Sequence, residues 1–482
     1  WRKAGRWAWR ITLGFLLLAW TLGISAWLAL HWLILPRLDE WRPRIEAQAT
    51  RALGHPVQIG QITVHSAGWV PAFTLRDVVL RDARGREALR LPQVSAAVSV
   101  PSMLALRLRF DQLLIDGARL EVRRDAAGRW FVGGLDMEAD SAGAVDGTAA
   151  ADWFFEQHEF VIRDGTLRWV DEQRAAPPLQ LTDVQLLVRN RGRRHELRLD
   201  ATPPADWGDR FAIVGQARGA LLSRAGDWQH WKGTLHASLP RADVSQLRRH
   251  VDLPVAVQQG QAALRAWVDW DQGQPQALTL DAALRDVSVQ LGTDLAPVAM
   301  ATLAGRFSAE RQAGGLRLAI DRLAFTTAEG TVWAPSQMAL LWKQATATVA
   351  PAASAAAARA ASGAASGGTA EPATLNTGGE FSADRLDLAL LADLGERLPI
   401  GHSLRALLRQ LNPEGTVGTL QARWDGPLDA PRTWQAKAKV KGLAIAAAPS
   451  PEPGGIGRPG WRGADLDIVA GETGGQAELQ LH

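Results

Sequence analysis

Side chains that carry most enzyme chemistry are absent from this sequence or stand in the wrong surroundings. Cys is missing altogether, which removes thiol nucleophiles, thiolate zinc sites, iron–sulfur ligation and disulfides. The 10 His are scattered without a ligand spacing. His195-Glu196 opens a metalloprotease-like string, but Leu199 stands where the second imidazole is needed, so zinc lacks ligands. Gly455-Ile456-Gly457-Arg458-Pro459-Gly460 has the spacing of a dinucleotide fingerprint. It follows a proline-rich loop and leads into strand-like Ala464–Ala470, whereas a phosphate needs the free N–H groups of a helix N-terminus. No phosphate loop with its Lys and no Ser in a nucleophile elbow occurs. The expectation is a protein without catalytic, metal or cofactor residues.

The densest basic run, Arg189-Asn190-Arg191-Gly192-Arg193-Arg194, could meet phosphate groups. It reads better as a solvated hairpin turn between Leu186–Val188 and Leu197–Leu199, because a turn is where charge is cheapest to hydrate. Net charge is only +3, weak support for a polyanion, and nucleic acid is not an expected partner.

Stepping along the chain, residues 1–10 hold Arg2, Lys3, Arg6 and Arg10 without an acid, and Ile11–Leu35 is almost wholly apolar. About 20 apolar residues cross a hydrocarbon core of roughly 30 Å. The basic flank then places a short arm in the cytoplasm and the bulk of the chain outside. Ile24-Ser25-Ala26 resembles a signal-peptidase site, but the apolar run continues to Leu35, so an uncleaved anchor is expected. Leu38, Trp41, Ile45, Ala49 and Leu53 recur at helical spacing, giving a juxtamembrane amphipathic helix over 36–54.

From Pro56 the period changes to two, which argues for strands with one apolar and one charged face. Leu106, Leu108 and Phe110, then Leu120 and Val122, alternate with charged residues, as Ala436, Ala438 and Val440 do with lysines, and Leu316, Leu318 and Ile320 repeat the period-two pattern. Helical patterns are few: Asp152–Phe160, Ala242–Val251, Asp384–Arg397 and Ser403–Leu411. Two phrases repeat. Asp77-Val78-Val79-Leu80, Asp183-Val184-Gln185-Leu186 and Asp286-Val287-Ser288-Val289 share one form. Gly117, Gly165, Gly260 and Gly415 each look like a turn feeding a strand. Residues 345–379 are mostly Ala, Ser, Gly, Pro and Thr with almost no large side chain, and read as a flexible loop between β segments 55–344 and 380–482. Together these imply a mainly β fold: a single N-terminal span followed by an elongated, twisted antiparallel sheet with few short helices. Its apolar face has little in the sequence to cover it.

The order of several stretches resembles the YhdP-like proteins of the AsmA superfamily. They are the basic arm and span, 54–60 (Gly54-His55-Pro56), Phe73–Leu80, Arg109–Gly117, Arg124–Trp130, Leu239–Asp243, Ala383–Leu388 and Asn412–Thr416. The resemblance implies an inner-membrane-anchored periplasmic bridge that carries phospholipid between inner and outer membranes along an apolar β groove. Distal partners would be outer-membrane or periplasmic proteins. Members are typically longer, so the chain is expected to be the inner-membrane portion. Under that likeness Leu106, Leu108, Phe110, Leu120, Val122, Leu316, Leu318 and Ile320 are candidate groove-lining residues. The alternative is an anchored β scaffold that organises envelope proteins without lipid; a hydrolase of envelope polymers lacks any positioned acid–base pair.

Overall fold

The computed structural model describes residues 13–14, 17–18, 20–21, 24–25, 42–44, 46–47 and 50, and then 56–481 apart from 68–69, 82–84, 86, 100–108, 134, 137–146, 222, 251–255, 344–377, 399, 429 and 449–456. Most of the expected span, the low-complexity stretch, Leu106 and Leu108 lie outside them. Among the described residues no helix is long and apolar enough to cross a membrane. The chain divides into two compact units, Trp1–Pro204 with Ala212–Trp231, and Ala205–Phe211 with Lys232–His482.

The first unit contains β1 (Val57–Ala67), β2 (Val70–Arg81), β3 (Glu87–Val98), β4 (Phe110–Asp116), β5 (Arg119–Arg124), β6 (Trp130–Val132), β7 (Leu135–Asp136), α1 (Gly147–Glu156), β8 (Glu159–Asp171), β9 (Leu179–Arg191), β10 (Arg194–Thr202) and most of β11 (Phe211–Arg218). β1, β2 and β3 form an antiparallel meander, and β3 pairs with both β4 and β5. β8 then runs parallel to both of these, with Leu113 opposite Phe160 and Arg124 opposite Asp171. The expected all-antiparallel sheet is therefore corrected to a mixed one. A parallel return needs a crossover of a dozen or more residues, and the segment holding α1 supplies it.

The second unit is a meander of β12 (Lys232–Asp243), β13 (Ala256–Asp271), β14 (Gln274–Gln290), β15 (Val298–Gln312), β16 (Gly315–Thr327), β17 (Val332–Lys343), β18 (Gly378–Asp387), β19 (Glu414–Asp425), β20 (Thr433–Ile445), β21 (Trp461–Gly471) and β22 (Gly474–Leu481). Each is antiparallel to the next. Two strands end on an Asp that starts a helix. Asp243 accepts the Ser245 N–H at 2.8 Å ahead of α2 (Val244–Leu247), and Asp387 accepts the Leu390 N–H at 3.0 Å ahead of α3 (Leu388–Leu394). Helix α4 (His402–Leu411) follows and ends on left-handed Asn412.

Ser403–Leu411 is helical as the sequence pattern predicts, within α4, while the other helices are shorter or shifted relative to it. Asp384–Asp387 extends β18, because the capping carboxylate fixes where the helix starts. Phe160 belongs to β8, which begins right after Gln157 and His158 close α1. Described residues 42–44, 46–47 and 50 are helical, within the expected juxtamembrane helix.

Most of the repeated phrases form one device. Asp77, Asp183 and Asp286 all lie inside strands at φ between 47° and 51°. Gly60 stands across from Asp77, Gly165 beside the irregularity opposite Asp183, and Gly260 across from Asp286. A left-handed residue pushes its strand toward the neighbour, and only a residue without Cβ leaves room. Gly165, Gly260 and Gly415 are thus strand positions, correcting their reading as turns; Gly117 does sit between β4 and β5.

Candidate functional site: an apolar sheet face

Residues directly opposite in a ladder share a face, so the registers show which side chains stand together. In the second unit Leu278, Ala309, Leu318, Leu340, Phe381 and Ala422 are consecutive partners across β14 to β19. The row two residues along, Leu280, Phe307, Ile320, Met338, Ala383 and Leu420, is equally apolar. Both continue to β21 through Ala436 and Ala470, and through Ala438 and Ile468.

The intervening rows carry charge. Arg265, Asp281, Arg306 and Asp321 alternate in sign across β13 to β16, with Arg306 Nε and Nη2 donating to Asp281 at 2.6 and 2.8 Å. The Arg306 hydrogen bonds hold the Asp281 carboxyl below its ordinary pKa. Lys343 and Arg423 flank Glu380 at 2.9 and 3.7 Å, and Lys439 meets Asp467 at 2.8 Å.

Cover on the apolar face is graded. At one end Val244 of α2 and Leu390 and Leu394 of α3 pack with Val257, Val289 and Val298 into one core, where Val287 is 1% exposed. Toward the other end the side chains emerge: Leu278 is 42% and Leu318 38% exposed. Solvent contact for large aliphatic groups arranged in continuous rows marks a surface built to meet something apolar.

The first unit repeats the arrangement. Ile62, Leu75, Val94, Ile115, Ile162 and Leu186 are partners across β1 to β9, while Gln61, Arg76, Gln93, Asp116 and Arg163 form a polar row. One end of its apolar face is covered by α1. Phe154 meets Phe160 edge-on at 5.0 Å, and Trp153 meets Phe110 at 6.3 Å. Beneath the helix, His195 stacks on Trp231 at 3.8 Å and Asn190 Oδ1 lies 2.8 Å from His195 Nδ1. Asn190 Nδ2 donates to the Gln157 carbonyl, so its Oδ1 is free to accept from His195 Nδ1–H. Burial lowers the His195 pKa to about 4.

The candidate lining residues fall as follows. Leu316, Leu318 and Ile320 share the apolar face of β16. Leu120 is in register with Leu89 and Leu167, and Val122 with Val132 and Trp169. Phe110 packs under Trp153 of α1 and is not on the open part of its face. Sequence reasoning missed the neighbouring strands' members, Leu278, Leu340 and Phe381. Their only signal was the same alternation, without a register to align it.

Arg191 and Arg194 close the β9–β10 hairpin, and Arg189 pairs with Glu159 at 2.7 Å. Gly457–Gly460 leads directly into β21, with Arg458 bridged to Ala448, and no helix starts there. Among the described residues no cluster of three or more His, Asp or Glu could hold a metal ion. No curated protein and no solved structure matches the chain. The family model described as YhdP protein matches residues 1–482, and the chain belongs to the YhdP family.

Proposed function

We propose that the chain is a lipid-transfer protein of the bridge-like type, anchored in a bacterial inner membrane by its N-terminal span with its bulk in the periplasm. Phospholipid moves along the apolar sheet face on its way between inner and outer membranes. The observation that carries this reading is the uncovered apolar row through Leu278 and Leu318, backed by a charged opposite face. A phospholipid with about 30 methylene groups costs on the order of 25 kcal/mol to bring into water, at about 0.8 kcal/mol each. Continuous aliphatic rows offset that cost at every strand, while the head group stays wet. Membership of the YhdP family supports the same reading.

The test is site-specific photo-crosslinking in cells, with the reactive side chain at Leu318 or Leu278 and controls at Arg317 and Thr279 on the opposite face. Phospholipid adducts at the first pair and none at the second are expected. Equal labelling of both faces removes the reading.

A further inference from the structure

Beyond the Leu318 row, toward the hairpins, the face changes chemistry. Arg311 is opposite Leu316, Leu316 opposite Trp342, Trp342 opposite Gly379, Gly379 opposite Trp424, and Trp424 opposite Trp434. Strand alternation puts Arg311 on the apolar side, two residues beyond Ala309. It is exposed and, among the described residues, has no ion-pair partner. Lys343 and Arg423 at this end are engaged with Glu380, and Lys232 with Asp271 at 3.2 Å. Glu310 and Arg317 point to the opposite face, where Gln312 donates to Glu310 at 3.4 Å.

The indoles of this row bracket a boundary. Trp342 and Trp424 meet edge-on at 6.4 Å, and the enclosed Trp424 Nε1 has no acceptor in the protein. Trp at an apolar–aqueous border keeps its ring with hydrocarbon and its N–H with polar groups. A buried donor without an acceptor is costly, and an oxygen arriving from outside relieves it. The row ends in an acid: Glu472 accepts the Trp434 backbone N–H at 3.0 Å. It lies six strands from Arg311, on the order of 29 Å at about 4.8 Å per strand, beyond one head group.

We infer that this row is a head-group rail on which the phosphate of a phospholipid meets the Arg311 guanidinium while its glycerol ester region lies along Trp342 and Trp424. The assignment rests on the lipid-transfer reading and adds a preference to it: lipids with a phosphate are held in favour of neutral ones of equal acyl content. Arg forms the charge-assisted, two-pronged contact that phosphate oxygens accept.

The experiment incubates the full chain, purified in detergent, with mixed vesicles of phosphatidylglycerol and diacylglycerol in equal amounts, repurifies it and counts both lipids by mass spectrometry. Arg311→Ala is expected to lower the phosphatidylglycerol-to-diacylglycerol ratio about tenfold, and Arg311→Lys to recover much of it. Leu318→Asp is expected to lose both lipids together. An unchanged ratio in Arg311→Ala, with Leu318→Asp still losing both, overturns the rail and leaves the acyl reading standing. Retention of neither lipid by the unaltered chain overturns both. An unchanged ratio accompanied by loss of a dimer in sedimentation shows the lip to be a contact between copies, which also overturns the rail.

Discussion

Gly260 and Asp286 face each other where β13 and β14 depart from regular pairing, Gly260 at φ 138° and Asp286 at φ 50°. A Cβ on Gly260 would stand 3.0 Å from both Cα and Cβ of Val287. The irregularity lets Leu284 and Val287, three residues apart, enter the same core, where strict alternation would send them to opposite faces. Leu75 and Val78, around Asp77, do the same in the first unit.

Gly260→Ala should therefore destabilise by about 1–3 kcal/mol, through strain at positive φ and the clash with Val287. Asp286→Gly, which removes the penalty of a left-handed Asp, should change stability by less than about 1 kcal/mol. Urea midpoints of the two variants check the pair, and a neutral Gly260→Ala would refute the bulge account.

Arg124 and Asp171, opposite each other in the parallel β5–β8 pair, set a second prediction. Asp171 is 1% exposed, receives Arg124 Nε at 3.0 Å and a second, closer guanidinium N–H, and accepts the Arg174 backbone N–H at 3.1 Å. Burial pushes its carboxyl up, but the Arg124 hydrogen bonds, the Arg174 N–H and the charges of both guanidiniums together outweigh it, and the pKa ends below the ordinary value. Arg124→Met strips the buried carboxylate of its closest donors, leaving the Arg174 guanidinium at 3.7 Å, and should cost about 3 kcal/mol. Arg124→Met combined with Asp171→Leu should recover most of that in thermal melts. Because the folded pKa is depressed, this contribution is present above the unfolded carboxyl value and fades as pH falls through the folded one.

His195 supplies the complementary acid effect. With its folded pKa near 4 and an ordinary value of 6.5, the unfolded chain binds the proton more readily. Stability should fall as pH drops below 6.5 and stop falling near 4, by about 3 kcal/mol in total. His195→Gln should flatten this part of the stability–pH curve; a curve as steep as before would show that other groups cause it.

The helical residues 42–44, 46–47 and 50, ahead of β1 in the first unit, hold its first strand. Glu46 Oε1 accepts the Ile59 N–H at 2.7 Å, Thr50 Oγ1 accepts the Val57 N–H at 3.1 Å, and Arg42 donates to the Gly60 carbonyl at 2.9 Å. Side chains at i, i+4 and i+8 thus occupy backbone groups of edge strand β1 that a neighbouring strand would use. Glu46→Ala with Thr50→Val should speed hydrogen exchange at the Val57 and Ile59 amides at least tenfold, about 1.4 kcal/mol for the pair. Unchanged exchange would show that the amides are protected by something else.

The β class, the apolar and charged parity of β16 and β20, and the hairpin at Arg191–Arg194 were all legible in the chain, because they depend on neighbours within one strand. The Asp-Val phrases were visible as a repeat but not as bulges, since a bulge is defined by the Gly on the next strand. Helix ends were misjudged where a strand-terminal Asp caps the helix, as Asp387 does.

Pairing between distant segments was beyond local pattern altogether. Nothing in the residues around Phe110 says that β8 returns parallel to β4, or that Trp153 covers one lining candidate while Leu318 stays open. The lip formed by Arg311, Trp342, Trp424 and Trp434 draws on four strands whose ladder alignment no periodicity encodes. The sequence by itself determined that each strand has one greasy and one wet face, because side chains alternate along any extended backbone. Only the tertiary structure decided which of those faces join into continuous rows and where helices leave them bare, because registers and cover are settled by contacts between residues far apart in the chain.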